Sequence, residues 1–302
     1  MAAITTGAHP KALWPGVQAW WGAEYERNPD YLPRMFAMTT SRKAYEEDVE
    51  STSFGLAPVK PEGSPTQYDE HQQQVVTRYT HVTYSLGAIV TMEEIADNLY
   101  NERAFQRAGL LAFSMYTTRQ TVGANVFNRG FDSSYTGGDG KELFATDHPT
   151  VSGTQSNELA TAADLSEAAL EDLLIQIRNA ENSRGLKINL MGQALIVPPA
   201  LEFEANRILK STLRSGTAEN DINAMRAMGM LPEGIICNPY LTDEDAFFIR
   251  TNAPNGLKWI DRMAPALTRD NDFDTSNAKM KTTGRWVSGW SDWRGAFASP
   301  GA

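Results

Sequence analysis

The sequence predicts a mixed α+β protein, because hydrophobic residues follow two different periods in successive stretches of the chain. Between Val76 and Val90 apolar and polar residues alternate, which is typical of an extended strand. From Met92 to about Phe127 apolar residues recur mostly every three, four or seven positions without a proline, which indicates one long helix. After Leu159 strand and helix patterns alternate, so a second region of α/β character follows the long helix.

Residues 1–44 predict an ordered N-terminal arm. Several prolines interrupt this segment, but it is rich in aromatic residues: Trp14, Trp20, Trp21, Tyr25, Tyr31 and Phe36. Disordered tails are poor in aromatic residues, so we expect the arm to pack on another surface. Pro15 is expected in the first turn of a short helix that continues through Trp20, Trp21 and Tyr25.

Residues 45–80 predict a long β-hairpin. Its tip is expected at Val59–Pro65, where two prolines cannot donate to a strand ladder. The returning strand is predicted to place one alternating set of side chains on a single face: Val76, Arg78, Thr80, Val82, Tyr84, Leu86, Ala88 and Val90.

The long helix is predicted from about Glu93 to Phe127, which corresponds to about 50 Å at the rise of an α-helix. A subunit of 302 residues cannot bury both this helix and the hairpin over their full lengths. The sequence therefore predicts a chain that contacts neighbouring molecules, as an assembly subunit does.

The rest of the chain predicts shorter elements. In order, these are a helix that opens with capping-box spacing at Asp164–Glu167 and ends near Gly185, a buried strand at Leu190–Val197, a helix that starts at Pro198–Pro199, and a strand at Gly234–Cys237. Two C-terminal strands are expected at Lys281–Val287 and Trp290–Phe297, separated by Ser288–Gly289.

The composition is that of a folded protein. The 302 residues are 41% hydrophobic and 21% charged, which is ordinary for a globular chain with an ample core. The chain contains no run of eighteen apolar residues, so no membrane span is predicted. Its first thirty residues lack the pattern of a signal peptide. Cys237 is the only cysteine, so an intrachain disulfide is impossible.

The net charge of −10 bears on a role with nucleic acid. Proteins that bind DNA tightly use clustered Lys and Arg, because much of their affinity comes from counterion release. Here the closest approach to a basic cluster is the pair Arg42–Lys43, which is soon followed by Glu46, Glu47 and Asp48. The sequence therefore argues against strong DNA binding, although a wall that only encloses DNA is compatible with it.

The sequence predicts no metal site and no cofactor. The four histidines, His9, His71, His81 and His148, do not have zinc-ligand spacing. A hydrolase could use His148 with Cys237 or a serine, but no G-x-S-x-G motif is present and Cys237 lies in an apolar strand. We therefore expect Asp147 and His148 to hydrogen-bond locally and to fix the turn before Pro149.

Four short motifs in order carry a resemblance to a known family. They are LFATDHP at 143–149 with the following helix start at Ala163–Leu165, IVPPALE at 196–202, NPYLTD at 238–243, and DWRGAF at 292–297. On these motifs the chain resembles the major capsid proteins of tailed bacteriophages, particularly the Mu-like major head subunit group.

The resemblance implies the tailed-phage major capsid fold and a division of the chain. Residues 1–44 would form the N-terminal arm and 45–80 the extended β-hairpin loop. Residues 81–158 and 266–302 would form the peripheral domain, with the spine helix at about 93–127. Residues 159–265 would form the axial α/β domain.

The resemblance also implies a function and partners. Copies of the chain would assemble as hexamers and pentamers into an icosahedral shell that encloses double-stranded DNA, in the virion and after assembly in the host cytoplasm. Scaffolding, portal and decoration proteins would be further partners, and no catalytic residue is expected. Contacts between subunits would be made by Trp14, Trp20, Trp21, Phe54, Leu56, Lys60, Pro61, Glu62, Pro65 and Tyr68.

Some alternatives stay open at this point. An encapsulin-type compartment would share the fold but hold cargo enzymes, and a tail or connector protein would form rings or tubes. Some relatives carry an N-terminal scaffolding segment, and because this chain starts at the arm we expect the scaffold to be either separate or absent from this form of the chain. Others join subunits by a Lys–Asn bond, but Lys60 is sufficiently explained as a charge that discourages strand pairing.

Overall fold

A computed structural model of the chain describes residues 10–91, 100–213, 222–271 and 277–302. The helices are α1 (Pro10–Glu26), α2 (Leu32–Met35), α3 (Tyr100–Asn128), α4 (Glu167–Arg178), α5 (Glu202–Lys210) and α6 (Ala224–Ala227). The strands are β1 (Ala37–Thr40), β2 (Tyr45–Ser51), β3 (Gln73–Thr80), β4 (Val82–Val90), β5 (His148–Thr150), β6 (Gly153–Gln155), β7 (Gly192–Val197), β8 (Gly234–Cys237), β9 (Phe247–Thr251), β10 (Leu257–Asn271), β11 (Ala278–Trp290) and β12 (Ala296–Ser299).

The first layer is a four-stranded sheet in the order β1-β10-β11-β4, which packs against the long helix α3. Its core holds Phe36, Phe127, Trp259 and Trp286, all nearly or completely buried. These aromatic rings contact one another, with Phe36 and Phe127 in an edge-to-face arrangement at 5.9 Å. Burial of such large apolar surfaces is the main stabilising term for this layer.

The second layer is a mixed four-stranded sheet in the order β12-β9-β7-β8, packed against α4 and α5. Strand β7 pairs parallel with β8 and antiparallel with β9. Its sequence, GQALIV, is buried along most of its length, as a central strand with both faces covered requires. The alternation of strand and helix in this part of the chain is therefore confirmed.

The N-terminal arm is part of the subunit core. Strand β1 pairs parallel with β10, and α1 lies along α3 with Val17 and Trp21 buried. The arm approaches α3 closely at Gly123, where a Cβ atom would lie 2.2 Å from Leu32 Cδ2. Helix α1 starts at Pro10 and has Pro15 in its interior, so the predicted helix start at Pro15 was wrong. We attribute the tolerance of Pro15 to the burial of the apolar face against α3, which offsets a missing hydrogen bond.

The hairpin consists of β2 and β3, paired antiparallel from Tyr45↔Thr80 to Ser51↔Gln73. The prediction that Val76 to Val90 form one strand with one shared face was wrong, because the strand breaks at His81. In β3 the buried residue is Tyr79, which bonds to Ser291 at 2.5 Å, while Val76 is exposed. Beyond the break β4 pairs with β11 instead of β2. Val90 is fully buried and Tyr84 and Ala88 are half-buried, whereas Val82 and Leu86 are exposed, so alternate side chains do not share one buried face.

The long helix is confirmed over Tyr100–Asn128. The predicted start at Glu93 lies outside the described residues. Helix α4 is confirmed too, but its N-cap is Ser166, whose hydroxyl accepts from the Ala169 N–H, and it ends at Arg178 instead of near Gly185. The capping pattern at Asp164–Glu167 thus predicted an N-cap two residues before the observed one.

The C-terminal strands differ from the prediction. Ser288 and Gly289 stay in the ladder of β11 opposite Trp259 and Lys258, so the strand continues to Trp290 and turns afterwards. A glycine suits position 289 because the Tyr79 ring occupies the space that a side chain would need; a Cβ atom there would lie 3.0 Å from Tyr79 Cε1.

The two sheets do not divide the chain at residue 265. Strand β10, which begins at Leu257, belongs to the first layer, and the last strand, β12, belongs to the second. The predicted grouping of 266–302 as one unit therefore does not match the strand pairing, because the antiparallel pairing of β12 with β9 is set by contacts distant in sequence.

Candidate assembly surfaces

The distal loop, residues 52–72, extends the hairpin beyond its last strand pair. At its base the Thr52 N–H donates to the Gln72 carbonyl at 2.8 Å, and the Gln72 N–H donates to Thr52 Oγ1 at the same distance. At its tip the Ser64 N–H donates to the Pro61 carbonyl at 3.2 Å, with Gly63 at a φ of +78°. The tip therefore lies in the predicted segment and is a turn.

The distal loop exposes large apolar side chains. The exposed fractions are 82% for Leu56, 94% for Val59 and 96% for Tyr68. Phe54 is 57% exposed and contacts the His71 ring at 5.8 Å. A cluster of exposed apolar groups on one short segment is typical of a surface that is covered by a partner.

The predicted contact residues fall into distinct environments. Those in the distal loop are all exposed: Phe54, Leu56, Lys60, Pro61, Glu62, Pro65 and Tyr68. Trp20 is 47% exposed on the outside of α1. The side chain of Trp14 lies outside the described part of the chain.

The structure contradicts the prediction that Trp21 contacts a neighbouring subunit. Trp21 is buried in its own subunit, where it packs in the α1–α3 core and stacks on Tyr25 at 5.3 Å. The sequence showed the aromatic content of the arm, but not which of two adjacent tryptophans faces inward. That orientation is set by the angle at which α1 lies on α3.

A second apolar surface, the α1–α3 patch, consists of Trp20, Leu110 and Phe113. The Trp20 indole lies beside Gly109, and Leu110 and Phe113 are 69% and 56% exposed. The sequence pattern did not indicate this patch, because the regular spacing of apolar residues in α3 predicts only its buried face, which includes Leu111 and Met115. The available signal was that apolar residues of α3 occur outside that stripe.

A third surface, the methionine groove, lies on the second layer between α4 and α6. It encloses about 550 Å³ and is lined mainly by Leu174, Ile175, Met225, Met228 and Met230. Ile175 and Met228 are 58% and 73% exposed. No sequence motif indicated it, because the groove forms only where the two helices meet.

His148 is fully buried, and the bonds recorded for its two ring nitrogens are not to Cys237. Its Nδ1 lies 2.7 Å from Asp139 Oδ2, its Nε2 lies 3.2 Å from Asn157 Oδ1, and its ring stacks on Trp293 at 4.3 Å. The predicted local partner, Asp147, instead pairs with Lys141. Burial raises the pKa of Cys237 to about 11, which disfavours a thiolate.

Asn157 connects the motifs around His148. Its side-chain N–H groups donate to the carbonyls of Leu143, Trp293 and Ala296 at 2.7, 3.2 and 3.0 Å. Its Oδ1 accepts from the Ala145 N–H at 3.0 Å. The LFATDHP and DWRGAF motifs therefore meet at one buried amide, the Asn157 junction, which explains them as structural elements.

Two classes of site are not found in the described ranges. Those residues contain no group of three or more His, Cys, Asp or Glu side chains placed to hold a metal ion. Among the same residues, no helix combines the length and the hydropathy that crossing a bilayer requires.

Comparison with known proteins links this geometry to a family. The model of the phage capsid protein family matches residues 74–299. No curated protein sequence matches the chain.

Solved structures show the same fold at low identity. A virus-like particle from Pyrococcus furiosus is 12% identical with a TM-score of 0.54, and the match covers 95% of this chain and 98% of that chain. The structure from Mycobacterium phage Patience is 12% identical with a TM-score of 0.53, over 98% and 88%. The SrpI encapsulin of Synechococcus elongatus PCC 7942 is 9% identical with a TM-score of 0.54, over 90% and 87%.

Proposed function

The chain belongs to the phage capsid protein family and is a structural subunit of a capsid shell, and we propose that this shell is an icosahedral head that encloses double-stranded DNA. The match of the family model over 74–299, about three quarters of the chain, carries this proposal. It covers the long helix and, apart from β1, every strand of the two four-stranded sheets.

The exposed surfaces support a contact between copies. In one subunit the distal loop and the α1–α3 patch both leave apolar side chains in water. We propose that the distal loop of one copy lies over its neighbour, where burial contributes about 25 cal/mol per Å² before entropic costs. Each contact can be weak, because a closed shell makes every subunit multivalent.

The subunit division follows from the same proposal. The first layer with α3 would be the peripheral domain, and the second layer with the methionine groove would be the axial domain around the five-fold and six-fold axes. The arm would contribute to neighbour contacts through the exposed face that carries Trp20. Membership of the Mu-like group stays a prediction.

The charge supports enclosure of DNA without strong binding. A net charge of −10 offers little attraction for phosphates, so packaged DNA would slide along the inner wall. An encapsulin-type compartment is the nearest alternative, and the family match favours the phage head over it. Particles that contain cargo protein and no nucleic acid would favour the compartment.

The proposed setting is the virion after assembly in the host cytoplasm, with scaffolding, portal and decoration proteins as partners. No enzymatic role is proposed, since both ring nitrogens of His148 are already bonded to Asp139 and Asn157. If the chain were a hydrolase that uses His148, the parent would hydrolyse a substrate and the folded His148→Gln variant would not.

The test is electron microscopy of the purified chain, with and without scaffold, for the parent and for a deletion of residues 60–65. We expect closed shells of uniform size for the parent, and a folded subunit that fails to form them for the deletion. Val151→Ser, which changes a 64% exposed residue outside the loop, serves as the control. Normal particles from the deletion would refute the role of the loop, and discrete rings from the parent would refute the shell.

A further inference from the structure

The distal loop is attached to its own subunit by one clasp. Asp69 Oδ2 lies 2.6 Å from Arg184 Nη1, and Arg184 Nη2 donates to the Glu70 carbonyl at 2.6 Å. The planar guanidinium thus holds the returning side of the loop at a carboxylate and at a backbone carbonyl together. Such a fork fixes direction as well as distance, which a lysine ammonium would not do.

Asp69 also joins the two sides of the loop. Its Oδ2 accepts from the Gly55 N–H at 2.7 Å, and its Oδ1 accepts from the Glu70 N–H at 2.8 Å. The strand ladder has already ended by this point, so this carboxylate takes the place of a ladder bond. These hydrogen bonds lower the pKa of Asp69 to about 2, with the Arg184 bond as the largest cause.

Arg184 projects from a closely bonded turn, residues 182–186, in the second layer. The Asn182 Oδ1 accepts from the N–H groups of Arg184 and Leu186, both at 2.9 Å, and Gly185 has a φ of +79°. The Arg184 side chain is only 22% exposed, whereas Asp69 is 44% exposed. One partner of the clasp is therefore held by a rigid turn and the other by a loop that extends into solvent.

From this geometry we infer that Arg184 is a positioning residue that sets the direction of the distal loop before it meets a neighbouring subunit. The inference rests on the proposed assembly function and deepens it. A loop that is already directed loses less conformational freedom on contact than a free one, so the clasp favours association without touching the partner. We expect its loss to raise the concentration needed for assembly roughly two- to fivefold, the scale of a well-formed surface ion pair.

The test measures the direction of the loop in the unassembled subunit. Spin labels on Lys60→Cys at the tip and on Thr161→Cys, which is exposed on the second layer, report their separation in a Cys237→Ser background. We expect a narrow distance distribution for the parent, a broad one for Arg184→Gln and an intermediate one for Arg184→Lys. Lys187→Gln is the matched control, because it breaks the neighbouring pair with Glu181 at 2.8 Å in the same region.

A distribution for Arg184→Gln as narrow as that of the parent would overturn the inference. An equal broadening in Lys187→Gln would overturn it too, because the effect would then belong to the turn in general. The unfolding midpoint of each variant is expected to stay unchanged. Shell formation is scored separately, so absence of shells from the parent would count against the proposed function and leave the result on the clasp intact.

Discussion

The Asn157 junction and the distal loop show opposite ways of using side chains in one subunit. At the junction every amide hydrogen and the oxygen of a fully buried Asn157 have partners, drawn from the middle of the chain at 143–145 and from its C-terminal part at 293–296. In the loop Leu56, Val59 and Tyr68 are almost fully exposed, and polar contacts are made mainly by Asp69. The junction is complete in one chain, whereas the loop leaves apolar side chains exposed, which we propose are covered by a neighbouring copy. Substitutions in the two regions should therefore separate stability from assembly.

Asn157→Ala should have the largest effect. It leaves several buried backbone groups without partners, each of which costs about 1–3 kcal/mol. We expect the free energy of unfolding to fall by about 4 kcal/mol in a denaturant titration. Asn206→Ala removes an amide that bonds to the Glu202 carbonyl within α5, and we expect a change below about 1 kcal/mol for this control. Similar losses for both variants would contradict the idea of a junction that holds distant segments together.

Trp21→Ala should destabilise the subunit by about 3 kcal/mol, because it leaves a cavity between α1 and α3. Trp20→Ala is its matched control, since the neighbouring indole is 47% exposed. For Trp20→Ala we expect little change in unfolding but slower assembly measured by light scattering. The reverse pattern would show that the arm leaves its own subunit during assembly.

His81 marks the point where the hairpin leaves the first layer, and it should make the unfolding free energy depend on pH. Its pKa is lowered mainly by burial and by the Arg285 charge, with a smaller effect of Arg262, and the Glu46 carboxylate opposes this shift. The unfolded chain then takes up a proton near pH 6.5 while the folded chain does so only at lower pH.

Stability from His81 is therefore complete above about pH 6.5 and is lost as the pH falls, by at most about 1.4 kcal/mol per pH unit. His81→Gln should show a flatter profile between about pH 7 and 5 than the parent in thermal unfolding at several pH values. Identical profiles would exclude His81 as the source.

Leu56→Ser combined with Tyr68→Ser should have the smallest effect on stability, below about 0.5 kcal/mol, because both side chains are in water in the subunit. The same variant should assemble poorly, which light scattering and electron microscopy would show. Normal assembly would mean that these side chains are not covered in the shell.

Local patterns in the sequence were sufficient for most elements. The start of helix α4, the buried strand β7 and the stop at Pro198 depend on periodicity and on backbone chemistry within a few residues, and they lie close to where they were expected. The tip turn of the distal loop follows from its prolines and Gly63 in the same way. The break at His81 was missed because alternation continues through it in sequence, while the strand changes its partner in space.

Among the candidate contact residues, the sequence identified the distal loop but could not sort Trp20 from Trp21. The sequence did not predict the α1–α3 patch or the methionine groove, because each forms only where two helices meet in the folded subunit. Clasp residues Asp69 and Arg184 are 115 positions apart, and no local spacing relates them.

Local patterns along the chain were enough to predict the mixed fold class, the long helix and the loop, and short motifs carried the resemblance to the capsid family. They were enough because hydrophobic period, proline and glycine act over short distances along the chain. Packing in three dimensions sets how the strands pair, which aromatic side chains are buried, what His148 bonds to and how Arg184 holds the loop. Those features arise from contacts between segments that are far apart in sequence, where packing in three dimensions selects among locally equivalent residues.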